Sequence, residues 1–242
     1  MGINLEKGGT INLNKCIDLS KRPQGLNKVT VGLGWDVNTG YGASYDLDAM
    51  AGCLNANGVL ANGDSSFIYF GHKNGKGLYL TGDNLTGEGD GDDEQIVVNL
   101  NEIPSNVSVI SFAVIIYSAR SRGQYFGKVR NAYIRVVDDV SGKELVRYNL
   151  TDEFHKETGV IVGELERDGA GGWQFNAIGH GLMNATHSTL KADYESSGDA
   201  PANYNNSNNN YGSSYGSSQE NSYQGTSQQN DKKGFFGKLF GR

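Results

Sequence analysis

The chain has 242 residues, with 21 Lys+Arg against 27 Asp+Glu, a formal net charge of −6. The excess is local: from Val29 to Ala119 eleven acids face two bases, Lys73 and Lys76, a net of −9, while the remainder carries +3. So acidic a stretch repels a phosphate backbone and attracts hard cations, which excludes nucleic acid as a partner and brings a metal ion forward.

With 35 Gly and only 3 Pro the composition suits a protein of many tight turns, as in an all-β domain. Two cysteines, Cys16 and Cys53, stand in no ligand-like spacing, which argues against a disulfide scaffold, a zinc site or a redox pair. The start, Met1–Gly9, lacks an apolar segment of signal-peptide type. The longest apolar run, Val107–Tyr117, is too short to span a bilayer and is interrupted by Ser108 and Ser111. A cytoplasmic location is the expectation.

In chain order, Ile3/Leu5 and Ile11/Leu13 flank Lys7-Gly8-Gly9 and predict an opening hairpin. Period-two patterning then predicts strands at Lys28–Trp35, Tyr45–Leu54, Ser66–Gly71, Gly77–Leu80, Gln95–Asn99 and Val107–Ala119. Further strands are expected at Lys128–Asp138, Glu144–Leu150, Gly159–Arg167 and Gly172–His180. Val107–Ala119 is nearly continuous in hydrophobicity, as a strand covered on both faces should be. Only Asn184–Ala192 reads as a helix, with a single turn at Leu100–Ile103. Short strands with turn signals between them point to an all-β, two-sheet β-sandwich with few short helices over residues 1–192.

From Lys191 to Gly234 there is no Ile, Leu, Val or Phe, so residues 193–231 read as a disordered Asn/Ser/Gly/Gln/Tyr-rich linker. Residues 232–242 reverse that composition. If helical, they set Phe235, Phe236, Leu239 and Phe240 on one face, with Lys232, Lys233, Lys238 and Arg242 for charge. That pattern suits reversible contact with an anionic membrane or a groove in a partner, and a linker of about 40 residues gives it a reach of roughly 35 Å.

The segment that carries chemistry is Thr81-Gly82-Asp83-Asn84-Leu85-Thr86-Gly87-Glu88-Gly89-Asp90-Gly91-Asp92-Asp93-Glu94. Asp83, Glu88, Asp90, Asp92, Asp93 and Glu94 place six carboxylates within twelve residues, with Gly interleaved. Compacting them without a counter-ion is unfavourable; a divalent cation reverses the sign. Calcium takes six to eight oxygens in flexible geometry, and Asn84 and Thr86 add neutral oxygens. Zinc would want His or Cys, which the loop lacks. The spacing is not that of an EF-hand, because Asp93 falls where the invariant Gly belongs.

Asp36, in Gly34-Trp35-Asp36, and the pair Asp46 and Asp48, on one face of a strand, are further candidate ligands. Asp46-x-Asp48 also permits the alternative of a metal-dependent, phosphatase-like hydrolase using that pair and the acidic loop. The strong helical periods of the α/β sheet on which such chemistry usually sits are missing. The four histidines, His72, His155, His180 and His187, are dispersed, and no Ser-His-Asp or Cys-His grouping can be drawn from order alone. No catalytic residue nominates itself. Arg120, Arg122, Lys128 and Arg130 form a basic cluster on an expected strand and turn.

Val31-Gly32-Leu33-Gly34-Trp35-Asp36, Asp46-Leu47-Asp48-Ala49 and Thr81–Glu94 resemble the motifs of the TerD family, named for tellurite resistance. The resemblance extends to Val129–Arg135, Gly163-Glu164-Leu165 and Trp173–Gly181, and covers nearly all of residues 1–190. It departs at Asp48-Ala49-Met50-Ala51-Gly52-Cys53, where the family more often shows Ala-Ser-Ala-Phe, a matter of packing that leaves the Asp positions in place. The resemblance implies a non-enzymatic, calcium-binding β-sandwich of the stress response, holding one or two Ca2+ and acting with other stress-resistance proteins near the membrane. By that match the metal ligands would be Asp83, Asn84, Glu88, Asp90, Asp92, Asp93 and Glu94, with Asp36, Asp46 and Asp48 contributing. Whether the chain forms an oligomer is left open. Tellurite is an oxyanion facing the most negative part of the chain, and neither cysteine stands in a context that obviously favours a thiolate. Direct chemistry on tellurite is not expected.

Overall fold

The computed structural model describes residues 2–17, 25–37, 44–82, 84–87, 91–150 and 154–196. Thirteen strands and two α-helices are assigned there: β1 (Ile3–Asn4), β2 (Thr10–Asn12), β3 (Lys28–Gly34), β4 (Leu47–Leu54), β5 (Phe67–Ile68), β6 (Asn74–Gly75) and β7 (Leu78–Leu80) come first. They are followed by β8 (Glu94–Asn99), β9 (Val109–Ile116), α1 (Ala119–Arg122), β10 (Tyr133–Asp138) and β11 (Lys143–Asn149). The last three are β12 (Gly159–Arg167), β13 (Trp173–Leu182) and α2 (His187–Glu195). They form a seven-stranded sheet in the order β1-β11-β10-β3-β8-β7-β6 and a six-stranded sheet in the order β2-β13-β12-β9-β4-β5. The expected all-β sandwich is what the chain builds.

Alternation sorts the side chains. Val29, Val31 and Leu33 of β3, Ile96 and Val98 of β8, and Leu47, Ala49, Ala51 and Cys53 of β4 belong to the core between the sheets. The opposite face of the six-stranded sheet is apolar too. Met50, Leu54, Val109, Ala113 and Ile115 pack there with Leu190 and Tyr194 of α2 in a second cluster. Every residue of β9 is therefore buried, Ser111 included, as its nearly continuous hydrophobicity predicted. Burying one large apolar side chain is worth about 1.5–3 kcal/mol, so both faces of this strand contribute.

Three expectations are corrected. The N-terminal strands do not form a hairpin. β1 runs parallel to β11 in one sheet, and β2 runs antiparallel to β13 in the other. The Lys7-Gly8-Gly9 turn, with Gly8 at φ 81°, carries the chain between sheets, Gly8 N donating to Ala177 O and Ala177 N to Gly9 O. The helix starts at His187 rather than Asn184, because Asn184 is left-handed (φ 56°) and Thr186 caps the helix through a reciprocal bond with Thr189. It also runs to Glu195, past residue 192: Tyr194 lies against Gly52 and its hydroxyl is 2.9 Å from Ser111 Oγ. Finally, the basic cluster is not on a strand: Arg120 and Arg122 sit on α1, Lys128 ends a 3-10 turn, Phe126–Lys128, and Arg130 lies in the loop before β10. Of the expected linker 193–231 only residues 193–196 are described, and the peptide 232–242 lies outside the described residues. Among the described residues no helix is long and apolar enough to cross a membrane.

Candidate functional site

One end of the sandwich gathers the end of β3, the start of β4 and the acidic loop that enters β8. Trp35, buried, donates from its backbone N to Asp93 Oδ2 at 2.8 Å and from Nε1 to Tyr45 O at 3.3 Å. Gly87 (φ 74°) lies so close to that indole that a Cβ there would stand 2.5 Å from Trp35 Nε1, so only glycine lets the loop settle here. Asn84 shapes the turn: its Oδ1 accepts from Thr86 N (3.1 Å) and Gly87 N (3.0 Å), and its Nδ2 donates to Asp93 Oδ1 at 2.9 Å. The amide oxygen of Asn84 thus serves the turn itself.

The three consecutive acids separate. Glu94 is 2 % exposed; its Oε2 accepts from Ala49 N at 2.6 Å and its Oε1 from Asn84 N at 3.3 Å, which ties the loop to β4. Asp93 sits at the end of the sandwich, held by Trp35 N and the Asn84 amide. Burial pushes its carboxyl above the ordinary range; the Trp35 N–H opposes this, and the neighbouring Asp92 and Asp36 charges add to it. Asp92 turns to the outer face of the seven-stranded sheet. There its Oδ1 is 2.7 Å from Arg135 Nε and 3.1 Å from the Tyr133 hydroxyl, and its Oδ2 accepts from Gln95 Nε2 at 3.1 Å.

Asp36 is exposed beside Asp93, accepting from Asn131 Nδ2 at 2.6 Å. Asp46 and Asp48 are both buried, at 7 % and 3 % exposure. Leu47 and Ala49 point into the inter-sheet core, so alternation puts Asp48 on the Met50 side of β4. Arg122 of α1 reaches Asp46 Oδ2 at 3.8 Å, so one member of the basic cluster serves the acidic end. Asp83, Glu88 and Asp90 lie outside the described residues. Among the described residues no three His, Cys, Asp or Glu side chains converge closely enough to hold an ion on their own.

The donor set at this end is carboxylate and carbonyl oxygen, which suits a hard cation. The thiols lie elsewhere in the fold. Burial pushes Cys53 up to about 12, and burial raises Cys16 as well despite Lys143 nearby. Neither is a thiolate near neutrality. Sequence reasoning missed Trp35 as a loop anchor and Arg135 as the partner of Asp92; Gly32 and Gly34 inside a strand were the available signal of a close approach.

Fold and site define a β-sandwich with one carboxylate-rich end closed by a Gly-spaced loop. The TerD domain model matches residues 1–194, and the chain belongs to the TerD family. General stress protein 16U of Bacillus subtilis is 44% identical over 196 residues, covering 80% of this chain and 97% of that protein. Tellurium resistance protein TerD of Serratia marcescens is 43% identical over 183 residues, covering 75% and 91%. The solved structure of a homologue of the telluride resistance protein from Streptomyces coelicolor superposes with a TM-score of 0.59. It is 20% identical and covers 72% of this chain and 99% of that one, a likeness of fold.

Proposed function

We propose that this TerD-family chain is a stress-response protein that binds calcium at the carboxylate-rich end of the sandwich and acts by binding rather than by catalysis. The observation that carries the reading is Asp93. Its carboxylate is partly buried, feels the charges of Asp92 and Asp36, and among the described residues is held by neutral donors, the Trp35 N–H and the Asn84 amide. N–H groups orient a carboxylate without cancelling its charge, and a bound divalent cation supplies what they do not. Asp93 and Glu94, with Asp36 beside Asp93 and the remaining loop acids, would hold the ion, and Asp46 and Asp48 at the start of β4 would contribute if the loop draws toward them. The ion would neutralise and order the loop, a change that a partner could read. Resistance to tellurite would then come from this binding role. Protonated thiols and a negative surface favour neither reduction nor capture of an oxyanion.

The test is calorimetric titration of the metal-free full chain with Ca2+ and Mg2+, followed by thermal melting in each ion. Heat and a raised midpoint with calcium, and less with magnesium, are expected. No heat together with an unchanged midpoint in calcium overturns the reading.

A further inference from the structure

Asp92, Asp93 and Glu94 are adjacent in sequence and like-charged, yet they go three ways. What separates them is a set of groups on the outer face of the seven-stranded sheet. Arg135 Nε takes Asp92 Oδ1 at 2.7 Å, and Gln95 Nε2 takes the other oxygen at 3.1 Å. The Tyr133 hydroxyl donates to Gly91 O at 2.8 Å and lies 3.1 Å from Asp92 Oδ1, so it grips backbone and side chain of the loop together. Arg147 stacks over the Tyr133 ring at 3.9 Å, and Glu144 bridges Arg135 (3.3 Å) and Arg147 (2.9 Å). Room for this comes from β3: a Cβ on Gly32 would stand 2.0 Å from Asp92 Oδ2. The side chain of Asp92 ends 1 % exposed, lying over Gly32.

We infer that Arg135, with Tyr133, Gln95 and the gap at Gly32, is a positioning residue for the calcium loop, drawing Asp92 out of the site so that Asp93 and Glu94 are presented to the ion. The inference rests on the calcium reading above. Without the clamp, three carboxylates in succession would repel and compete for the same ion, and the loop entering β8 would lose its fixed direction. Pre-organised ligands bind more tightly because less ordering is left to be done on binding. The sign of the effect separates positioning from mere proximity. A cation that only sits near the site weakens calcium by repulsion, so its removal should tighten binding. A positioning cation does the reverse.

The experiment titrates Ca2+ into the full chain carrying Arg135→Met, Arg135→Lys, Asp92→Asn, Gly32→Ala or the pair Arg135→Met with Asp92→Asn. Each protein is held well below its own melting midpoint. Arg135→Met and Asp92→Asn should each weaken calcium by about tenfold or more, the range for outer groups that orient metal ligands. The pair should be no weaker than the weaker single, and Arg135→Lys should recover part of the loss. Gly32→Ala leaves every charge in place and should weaken calcium too. If Arg135→Met fails to fold, Arg135→Lys and Gly32→Ala decide. Unchanged or tighter binding in the Arg135 and Gly32 variants overturns the inference. So does a loss in Asp92→Asn far beyond that in Arg135→Met, which would make Asp92 a ligand. Failure of the calcium reading itself is seen separately, as absence of heat in the unsubstituted chain.

Discussion

On the outer face of the seven-stranded sheet, carboxylates meet guanidinium groups. Asp92 and Glu144 stand against Arg135 and Arg147, acid for base. At the end of the sandwich a few ångströms of chain away, Asp93 meets a backbone N–H and an amide, and Glu94 accepts from two backbone N–H groups. The first arrangement is complete within the chain. The second fixes where the oxygens point, and at Asp93 the donors among the described residues are neutral. Arg122 reaches Asp46 at this end as well, at 3.8 Å, so the contrast that matters is the one between Asp92, which meets a guanidinium, and Asp93, which meets neutral donors.

The largest effect expected from that difference is calcium itself. A ligand bound only by the folded state, at a hundredfold excess over its dissociation constant, adds about 2.7 kcal/mol. Urea denaturation with and without calcium should show a gain of that order. Asp93→Asn should remove most of it. Retention of the full gain in that variant would shift the ion away from Asp93.

Next in size is Gly32→Ala, which forces a methyl against the Asp92 carboxylate. Overpacking of this kind costs about 1–3 kcal/mol. The loss should appear equally in the metal-free protein, because the outer-face network exists without an ion. Unaltered stability in Gly32→Ala would mean that Asp92 is not confined over that glycine.

How much of this could be read from the chain depends on whether a signal is local. Period-two patterning located the long strands, and the nearly continuous apolar run of β9 announced burial on both faces. Lys7-Gly8-Gly9 announced a turn, but a turn does not say which strands receive the hydrogen bonds beyond it. The true partners of β1 and β2, on β11 and β13, lie far along the sequence. The polar composition after Lys191 hid Tyr194, although Leu190 and Tyr194 stand at i and i+4, the spacing of one helix face. At the site, the acidic loop was obvious and its internal division was not. Asp92 and Asp93 differ only through Arg135, 43 residues away from Asp92, and through a missing side chain at Gly32.

The smallest effect separates the two regions by the sign of their pH dependence. Burial tends to raise the Glu144 carboxyl, but Arg147 and Arg135 outweigh it and hold it below the ordinary range. A lowered native pKa contributes stability that is present above the unfolded value and lost as pH falls through the native one. These pairs are partly exposed, so Glu144→Gln should cost less than about 1 kcal/mol at neutral pH. The cost should vanish in acid. Asp93 is shifted the other way, chiefly by burial, so between the unfolded and the native value the folded form holds a proton that the unfolded chain has released. Its contribution to the stability of the metal-free protein therefore falls as pH rises through the carboxylate range up to its raised value. Measured by denaturation across pH without calcium, the difference between the unsubstituted chain and Glu144→Gln should grow in favour of the former as pH rises. The difference from Asp93→Asn should move in the opposite direction. Calcium, by replacing the proton at Asp93, should reverse the second trend and leave the first as it was. Parallel trends for the two variants in metal-free protein would break the contrast between the guanidinium-paired Glu144 and the N–H-held Asp93.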